Sequence, residues 1–260
     1  MKSLDLTGRV SVITGATQGI GKSIAETLSW NGSDIAIIDI NEKDGLEVRN
    51  LIRGKAKVRC EFYRCDVSKN EEVSIVCKNI LSDFKKVDNL VLNAGFSIRE
   101  DIMNINIESW NKIIEVNLNG SFYFILNLIK PMISQKKGSI VFIASSSATT
   151  GSGGGISYPA SKAGVIGIAK AICYHCLQYG VRANVISPGA IATPLLRKKY
   201  PDTEEGNKKL ADQVPLGRYG VPEDIANTAL FLVSDMSDFI CGQEILVDGG
   251  RTLYTHPAGS

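Results

Sequence analysis

The chain has 260 residues, of which 44% are hydrophobic and 22% are charged, and this composition excludes a disordered chain, a coiled coil and a collagen-like fibre. The 29 Lys and Arg against 27 Asp and Glu leave a net charge of +2, which argues against nucleic acid as a partner because duplex-binding domains carry a basic surplus. No stretch approaches the roughly 20 apolar residues that cross a bilayer, so we expect no membrane partner.

Short runs rich in β-branched residues alternate with longer amphipathic stretches along the whole chain. Near-continuous Val, Ile and Leu runs are typical of parallel strands covered on both faces. The alternation predicts an α/β Rossmann fold, in which a doubly wound seven-stranded parallel sheet carries helices on both faces. No linker or repeat interrupts it, so we predict a single domain over residues 1–260. In chain order the predicted elements are strand Val10–Thr14, helix Ile20–Asn31, strand Asp34–Asp39, helix Glu42–Ile52, strand Val58–Arg64, helix Asn70–Lys85, strand Asn89–Asn93, helix Ser109–Ser134, strand Ser139–Ala144, helix Tyr158–Tyr179, strand Arg182–Ser187, helix Pro222–Ser234 and strand Glu244–Val247.

Six scattered cysteines and the N-terminal residues bear on the compartment. Met1–Leu6 lacks the apolar region of a signal peptide, and a chain of this length can build its core without disulfides. We therefore predict reduced thiols and a cytoplasmic protein. The run from Cys173 to Cys176 has no second Cys or His pair to complete a tetrahedral site, so we predict ordinary helix residues and no metal site.

One segment, Leu195 to Gln213, breaks the alternation because it is long, charged and carries Pro201. A segment of this kind near the carboxyl ends of strands fits a substrate lid at about residues 195–213, and a solvated excursion is the alternative. Its cations Arg197, Lys198 and Lys199 either attract an anionic substrate or form a solvated surface run.

The first strand runs directly into a glycine-rich turn and a helix. Gly15 permits the tight turn, Gly19 lets the backbone approach a pyrophosphate, and Gly21 permits close packing of the helix on the strand. The free N–H groups of the helix N-terminus then favour the phosphates. The strand–turn–helix context predicts a dinucleotide site.

Asp39 ends the second strand, 18 residues beyond Gly21. A carboxylate there can accept hydrogen bonds from the adenosine ribose hydroxyls and would repel a 2′-phosphate. Neither Gln18 nor Ile40 supplies the positive charge that a 2′-phosphate requires. We therefore predict NAD(H) rather than NADP(H), although a helix-capping role for Asp39 is an alternative.

The glycine spacing is Gly-x-x-x-Gly-x-Gly, and from Thr14 to Gly21 the sequence resembles the short-chain dehydrogenase/reductase family. Similar matches follow nearly to Gly250, among them Cys65-Asp66-Val67, Asn93-Ala94-Gly95 and the Pro-Gly segment after the sixth strand. The cofactor-binding residues that the turn and this resemblance imply are Gly15, Thr17, Gln18, Gly19, Ile20, Gly21, Asp39, Asp66, Val67, Asn93, Ala94, Gly95, Tyr158, Lys162, Pro188, Gly189, Ile191 and Thr193.

Tyr158-Pro-Ala-Ser-Lys162 has the Tyr-x-x-x-Lys pattern of the family's catalytic site. Residues i and i+4 lie on one face of a helix, so the phenol and the ammonium can point into one cleft. A free tyrosine has a pKa near 10, and a nearby Lys⁺ together with an oxidised nicotinamide would favour the phenolate.

Two more residues follow from the resemblance. Ser145 stands thirteen residues before Tyr158, the family's spacing for the serine that orients the substrate oxygen, although Ser146 and Ser147 are adjacent. Asn117 matches the family's fourth catalytic residue, which binds a water that links the lysine to solvent. The predicted catalytic residues are thus Ser145, Tyr158, Lys162 and Asn117.

These residues imply an NAD-dependent oxidoreductase that interconverts an alcohol and a carbonyl by hydride transfer. Our first prediction for the substrate is a sugar, a polyol or a similar small hydroxylated metabolite. A 3-oxoacyl-carrier-protein reductase is the alternative that the general pattern also resembles. A non-catalytic NAD-binding regulatory protein stays open as a different class, and binding alone would need no poised phenol.

The resemblance further implies a homotetramer, since family members are commonly built from paired long helices and contacts near the last strand. Two segments have no settled role. The Gly151–Gly155 loop leaves room beside the predicted pocket or is a flexible turn, and the tail Arg251–Ser260 reaches a neighbouring subunit's pocket or is disordered.

Overall fold

The computed structural model describes residues 3–98, 101–197 and 200–253, and within them seven strands pair in parallel into one sheet. They are β1 (Val10–Thr14), β2 (Asp34–Asp39), β3 (Cys60–Arg64), β4 (Asn89–Leu92), β5 (Gly138–Ile143), β6 (Val181–Pro188) and β7 (Glu244–Val247). Their order across the sheet is β3-β2-β1-β4-β5-β6-β7. The chain winds outward from β1 to β3, returns to the middle at β4 and winds outward again, which confirms the doubly wound Rossmann fold.

Helices cover both faces of the sheet, and none of those in the described ranges is long and apolar enough to cross a bilayer. The helices are α1 (Gly19–Trp30), α2 (Glu42–Lys55), α3 (Asn70–Phe84), α4 (Ile107–Ile114), α5 (Gly120–Ser134), α6 (Ser147–Thr150), α7 (Ser157–Cys176), α8 (Pro194–Arg197), α9 (Glu204–Ala211) and α10 (Pro222–Val233). Helices α3, α5 and α7 cover one face of the sheet, and α1, α2 and α10 cover the other.

The two cores explain why the strands read as continuous apolar runs. In β2, Ala36 and Ile38 belong to the core beneath α3, α5 and α7, whereas Ile35 and Ile37 belong to the core beneath α1, α2 and α10. All four side chains are fully buried. Because alternate residues of a strand point to opposite faces, a sheet covered on both sides needs apolar residues at every position.

The helix predicted over Ser109–Ser134 is divided in the structure. A π-helical turn, Glu115–Asn119, joins α4 to α5 and places Asn117 in the interior, only 1% exposed. A wide turn of this kind accommodates one extra residue while helix continues on either side, so the sequence pattern still predicts one long helix.

One expectation about the cysteines is wrong. A disulfide joins Cys173 of α7 to Cys241 before β7, whereas the sequence analysis predicted reduced thiols throughout. The two residues are 68 positions apart in sequence, and only the packing of α7 beside the start of β7 brings their Cα atoms to 6.3 Å. The thiols of Cys60, Cys65 and Cys77 remain free, and burial raises the pKa of each to about 12.

Candidate active site

A cleft of about 1240 Å³ opens at the carboxyl ends of the neighbouring strands β1 and β4. The chain continues from these two strands into opposite halves of the sheet. This is the switch point at which doubly wound sheets bind their ligands. Nearly all the predicted site residues line it. Thr17, Gly21 and Asn117 do not, and each supports the cleft wall from behind through the contacts described below.

The turn between β1 and α1 is built for close backbone contacts. Gly15 has a φ of +64°, a left-handed conformation that favours glycine, and its N–H donates to Ile38 O at 2.8 Å. A Cβ on Gly21 would collide with the carbonyl oxygen of Gly15. Glycine therefore fits Gly15 because of its backbone conformation, as predicted, and fits Gly21 because α1 approaches the turn itself, where close packing on the strand was predicted.

Asn93 stabilises this turn from the neighbouring strand. Its Nδ2 donates to Thr14 O at 3.0 Å and to Gly15 O at 2.9 Å. The hydroxyl oxygen of Thr14 accepts in return from the N–H groups of Asn93 and Ala94, both at 3.0 Å. Four hydrogen bonds thus fix the glycine turn to the end of β4.

The carboxylate of Asp39 closes the opposite end of the cleft. It accepts from Thr17 Oγ1 at 2.8 Å and from Asn41 N at 3.1 Å. These two bonds explain the role of Thr17 and hold the carboxylate at the mouth of the glycine turn. Arg64 stands opposite Asp39 in the register of β2 and β3, but its side chain is exposed and does not line the cleft.

Asp66 and Val67 line the cleft beside this end, beyond β3. The Asp66 carboxylate accepts from the backbone N–H of Ser68 at 3.0 Å and from its hydroxyl at 2.7 Å. Val67 is buried, and its carbonyl and side chain lie where a Cβ on Gly120 would stand. The turn after β3 is thereby fixed against the start of α5.

Ser145, Tyr158 and Lys162 meet at the centre of the cleft. Ser145 follows β5 and lines the cleft together with Tyr158, which lies at the start of α7. Lys162 lies one turn further along α7, with its Nζ 5.7 Å from the centre of the Tyr158 ring. Lys162 is 4% exposed, and its Nζ donates to Ile143 O at 2.8 Å.

The hydrogen bonds around Ser145 distinguish it from its two neighbours. Ser145 Oγ accepts from Ser147 Oγ at 2.7 Å and from Ser147 N at 3.2 Å. Because its lone pairs are engaged, its own proton is directed towards Tyr158. Ser147 is the supporting residue that the sequence analysis missed, and its only signal was its place in the run of three serines.

Burial sets the protonation of the pair. It raises the pKa of the Tyr158 phenol, and the hydrogen bond from Ser145 lowers that pKa by less than burial raises it. Burial also lowers the pKa of Lys162 to about 8. The interior by itself therefore favours the neutral phenol, and the positive charges of Lys162 and of an oxidised nicotinamide would have to shift the balance towards phenolate.

Asn117 lies behind this group. Its Oδ1 accepts from Phe96 N at 3.0 Å, and its Nδ2 donates to Phe96 O at 2.9 Å and to Ser161 Oγ at 3.1 Å. Both amide hydrogens are therefore used, and the side chain ties the π-helical turn to the chain beyond β4. A water at this site would have to bond the remaining lone pair of Oδ1 or a main-chain carbonyl.

The segment from the last residue of β6, Pro188, to Thr193 forms the floor of the cleft. A Cβ on Gly189 would lie 2.6 Å from the Cβ of Asp248, so the close approach of the two chains requires glycine. Ala190 O accepts from Gly220 N at 2.9 Å, and Ala192 N donates to Gly220 O at 2.8 Å. The segment is thus held as a short strand-like bridge.

The region predicted as a lid contains α8 and α9, and Lys198 and Lys199 lie outside the described residues. Leu210 and Val214 pack with Ala190 in a small apolar cluster separate from the two main cores. Arg197 is turned into this segment, since it pairs with Asp202 at 3.3 Å. Arg197 does not line the cleft. The geometry therefore does not support the alternative in which this residue binds an anionic substrate.

The glycine loop before α7 passes directly beside the Tyr158 side chain. Gly153, Gly154 and Gly155 all have positive φ values, between +69° and +97°. A Cβ on Gly154 would collide with Ser97 Oγ and lie 3.0 Å from Tyr158 Cβ. The glycines therefore let the loop cover the cleft wall closely, which the sequence alone left undecided.

No group of three His, Cys, Asp or Glu side chains that could hold a metal ion occurs in the part of the chain that the structure describes. The residues of the cleft do fit a dinucleotide. The glycine turn, the close contact at Gly189 and the Asp39 carboxylate form walls that could hold the pyrophosphate and ribose of an NAD-type cofactor.

Comparison with known proteins agrees with this geometry. A family model described as enoyl-(acyl carrier protein) reductase matches residues 15–252. The 3-oxoacyl-[acyl-carrier-protein] reductase FabG of Chlamydia muridarum is 38% identical over 96% of this chain and 99% of its own. The NAD-dependent glycerol dehydrogenase of Listeria innocua is 34% identical over 97% of both chains.

Among solved structures, one from Beutenbergia cavernae, named "putative NAD(P) dependent gluconate 5-dehydrogenase" and containing NADP, superposes with a TM-score of 0.90. It is 29% identical and covers 96% of this chain and 99% of its own. The glycine turn, the Tyr158–Lys162 pair and these matches lead to one conclusion. The chain belongs to the short-chain dehydrogenase/reductase family of NAD(P)-dependent oxidoreductases.

Proposed function

We propose that this protein interconverts an alcohol and a carbonyl by hydride transfer, with Ser145, Tyr158, Lys162 and Asn117 as its catalytic group. The observation that carries the proposal is that Ser145 and Tyr158 line the same cleft, with the buried ammonium of Lys162 5.7 Å from the centre of the Tyr158 ring. A merely structural serine and tyrosine would not need a charged lysine buried within 6 Å, because burying a cation costs free energy.

In the direction of oxidation, Ser145 orients the substrate oxygen and Tyr158 removes the hydroxyl proton. Lys162 stabilises the phenolate electrostatically, and Asn117 positions the chain beside Phe96 and so holds the proton path to solvent. A nicotinamide held by the cleft residues would supply the hydride chemistry, as acceptor in oxidation and as donor in reduction. The same proton moves from Tyr158 to the substrate oxygen when a carbonyl is reduced.

For the cofactor we propose NAD(H). Asp39 places a carboxylate at the adenosine end, and the cations that line the cleft in its described part, Lys162 and Arg251, do not stand at that end. A 2′-phosphate would meet the Asp39 charge without a compensating cation. The NADP in the Beutenbergia cavernae structure shows that the fold itself tolerates the phosphate, so the choice depends on these side chains.

Two substrate classes follow from different observations. The names of the relatives favour reduction of a 3-oxoacyl thioester, the alternative of our sequence analysis, over our first prediction. A small hydroxylated metabolite is supported by the use of NAD(H) that we propose from Asp39, which the NAD-dependent glycerol dehydrogenase relative shares by name. The gluconate enzyme among the solved structures supports the same class.

The deciding experiment is a nicotinamide-coupled rate measurement on a matched panel. It contains acetoacetyl thioesters of coenzyme A and of pantetheine for reduction, and polyols, sugars and hydroxy acids for oxidation. Turnover of thioesters alone would establish the first class, and turnover of alcohols alone the second. Tight NADH binding without turnover of any member would contradict the proposal and favour the regulatory role.

Three further points are part of the proposal. The whole chain would act as a single domain, and residues 195–213 would act as a substrate lid, supported by the small cluster of Leu210 and Val214 on Ala190. A homotetramer is supported by Phe122 and Leu126, which leave an exposed apolar strip on α5. Light scattering tests the last point, and a monomer at micromolar concentration would contradict it.

A further inference from the structure

Two cations line the cleft in its described part, and only one of them belongs to the proposed catalytic group. Lys162 is occupied beside Tyr158 and donates to Ile143 O. The other is Arg251, which follows the glycine pair after β7 and is half-buried. A half-buried guanidinium without an anionic partner costs free energy, so the role of Arg251 needs an explanation.

Arg251 uses little of its hydrogen-bonding capacity within the protein. Its Nη2 donates to Gln213 Oε1 at 3.0 Å, and no carboxylate of the described residues forms an ion pair with it. Gln213 Nε2 in turn donates to Tyr200 OH at 3.1 Å and to Lys209 O at 2.8 Å. A guanidinium carries five N–H donors, so most remain available to a ligand in the cleft.

The nearest carboxylate in sequence is committed elsewhere. Asp248 accepts from Gly250 N at 3.0 Å and from the backbone and hydroxyl of Thr252 at 2.8 and 2.7 Å. These bonds build the turn that carries Arg251. Asp248 therefore fixes the position of the arginine backbone and does not neutralise its side chain.

Arg251 lies at the end of the cleft remote from Asp39. Its partner Gln213 adjoins Val214, which packs on Ala190, between the predicted cofactor-binding residues Gly189 and Ile191. Leu216 N donates to Gly249 O at 3.1 Å, which attaches the same stretch of chain to the turn before Arg251. The guanidinium is thus presented on the substrate side of the cleft, beside the segment that carries Gln213.

We propose that Arg251, aligned by Gln213, binds the carboxylate of an acidic substrate, so that the enzyme acts on a hydroxy acid or the corresponding oxo acid. This rests on the proposed function, because the substrate's hydroxyl must reach Ser145 and Tyr158. A planar guanidinium matches a carboxylate through two parallel hydrogen bonds, which fixes the orientation of a small molecule as well as its affinity. Arg251 is a specificity-determining residue in this scheme.

An anionic group could also come from the phosphates of a coenzyme A or carrier-protein thioester. The two sources share the chemistry that a guanidinium recognises, and matched substrates separate them. Gluconate is compared with glucitol, and 3-hydroxybutyrate with its methyl ester. Acetoacetyl-coenzyme A is compared with acetoacetyl-pantetheine, which lacks the phosphates.

The variants are Arg251→Gln, Arg251→Lys and, as a control that loses one positive charge outside the cleft, Arg49→Gln on α2. We expect Arg251→Gln to raise KM for the acids about 10- to 100-fold, the effect of losing charged hydrogen bonds, with a smaller change in kcat. KM for the neutral partners should change less than about twofold. Arg251→Lys should restore part of the affinity, since a lysine keeps the charge but not the fork.

A binding measurement makes the result independent of turnover. The melting temperature of the NADH-loaded protein is measured with gluconate, 3-hydroxybutyrate and lactate, and a rise that Arg251→Gln abolishes and Arg49→Gln retains supports the subsite. Such a rise without turnover would keep the subsite and overturn the proposed function. Equal losses on acidic and neutral substrates, an effect confined to acetoacetyl-coenzyme A, or no rise with any acid would overturn the carboxylate subsite.

Discussion

The two ends of the cleft are built by opposite means. At the end that fits the adenosine and pyrophosphate, the glycine turn is fixed by main-chain contacts and by Asn93, within adjacent central strands. At the substrate end, side chains from segments far apart in sequence meet, such as Gln213 and Arg251. Main-chain geometry of this kind tolerates few substitutions, whereas the substrate end can change its chemistry by single side chains.

The largest effect should come from the centre of the cleft, where Tyr158→Phe removes the phenol alone. We expect kcat to fall by about 10²- to 10⁴-fold because general acid–base catalysis is lost, while NADH affinity stays within twofold. Stopped-flow rates and NADH fluorescence titration measure the two. Tyr174→Phe, on an exposed position of α7, is the control. An unchanged kcat in Tyr158→Phe would show that the chemistry lies elsewhere.

The second prediction concerns the glycine turn at the cofactor end of the cleft. A Cβ in Gly21→Ala would collide with Gly15 O and lie 2.5 Å from Asn93 Nδ2, so the turn must shift. Overpacking of this kind costs about 2 kcal/mol, and we expect NADH affinity to fall roughly 30-fold. Gly167→Ala, where α7 has open space around the glycine, should leave affinity unchanged. Equal affinity in both variants would mean that the turn does not hold the cofactor.

A smaller effect is expected when the glycine turn is kept and only the charge of the neighbouring residue Asp39 is removed. Asp39→Ser removes the carboxylate that would repel a 2′-phosphate, and the ratio of kcat/KM with NADPH to that with NADH should rise about tenfold. Glu42→Gln, at the exposed start of α2, controls for the loss of one negative charge. A wild-type preference for NADPH, or a ratio that Asp39→Ser leaves unaltered, would reject the NAD assignment.

The smallest effect concerns the buried ammonium between the two ends. Burial lowers the pKa of Lys162 to about 8, below its value of 10.5 in an unfolded chain, so between these values the unfolded state binds more protons. The contribution of Lys162 to stability must therefore rise with pH across that window. In cofactor-free protein, the free energy of unfolding of the wild type minus that of Lys162→Met should rise by about 1 kcal/mol per pH unit between pH 8 and 9.

This difference is the useful quantity, because the thiols of Cys60, Cys65 and Cys77 have their pKa raised to about 12 and lower the stability of both proteins above pH 9. Urea titrations at several pH values give the free energies. Lys170→Met removes an exposed ammonium from the same helix, and its difference from the wild type should stay flat. A flat difference for Lys162→Met as well would show that the ammonium is not desolvated.

Elements with a strong local period were predicted closely. The bounds of β1, β2 and β7 agree residue for residue, because β-branched runs between turns define a strand wherever it pairs. The π-helical turn around Asn117 and the short helices α8 and α9 were not predicted. Each is stabilised by contacts with distant segments, such as the bonds from Asn117 to Phe96, and leaves no periodic signal.

The cations near the cleft and the paired cysteines likewise depend on contacts between distant segments. In the sequence, the three neighbouring positive charges at residues 197–199 were considered either as ligands of an anionic substrate or as a solvated surface run. In the structure Arg197 pairs with Asp202, and it is Arg251 that lines the cleft. Likewise the pairing of Cys173 with Cys241 crosses 68 residues. Neither follows from composition or spacing, because each depends on which remote segments the sheet brings together.

By itself, then, the sequence determined the doubly wound sheet, the dinucleotide turn at Gly15–Gly21 and the pairing of Tyr158 with Lys162 on one helix face. All three are encoded by residues close together in the chain, where backbone periodicity and glycine conformation act directly. Only the tertiary structure decided that Asn117 is buried within a π-helical turn and that Arg251 enters the cleft. Those outcomes depend on long-range packing, which fixes the direction of a side chain and not only its identity.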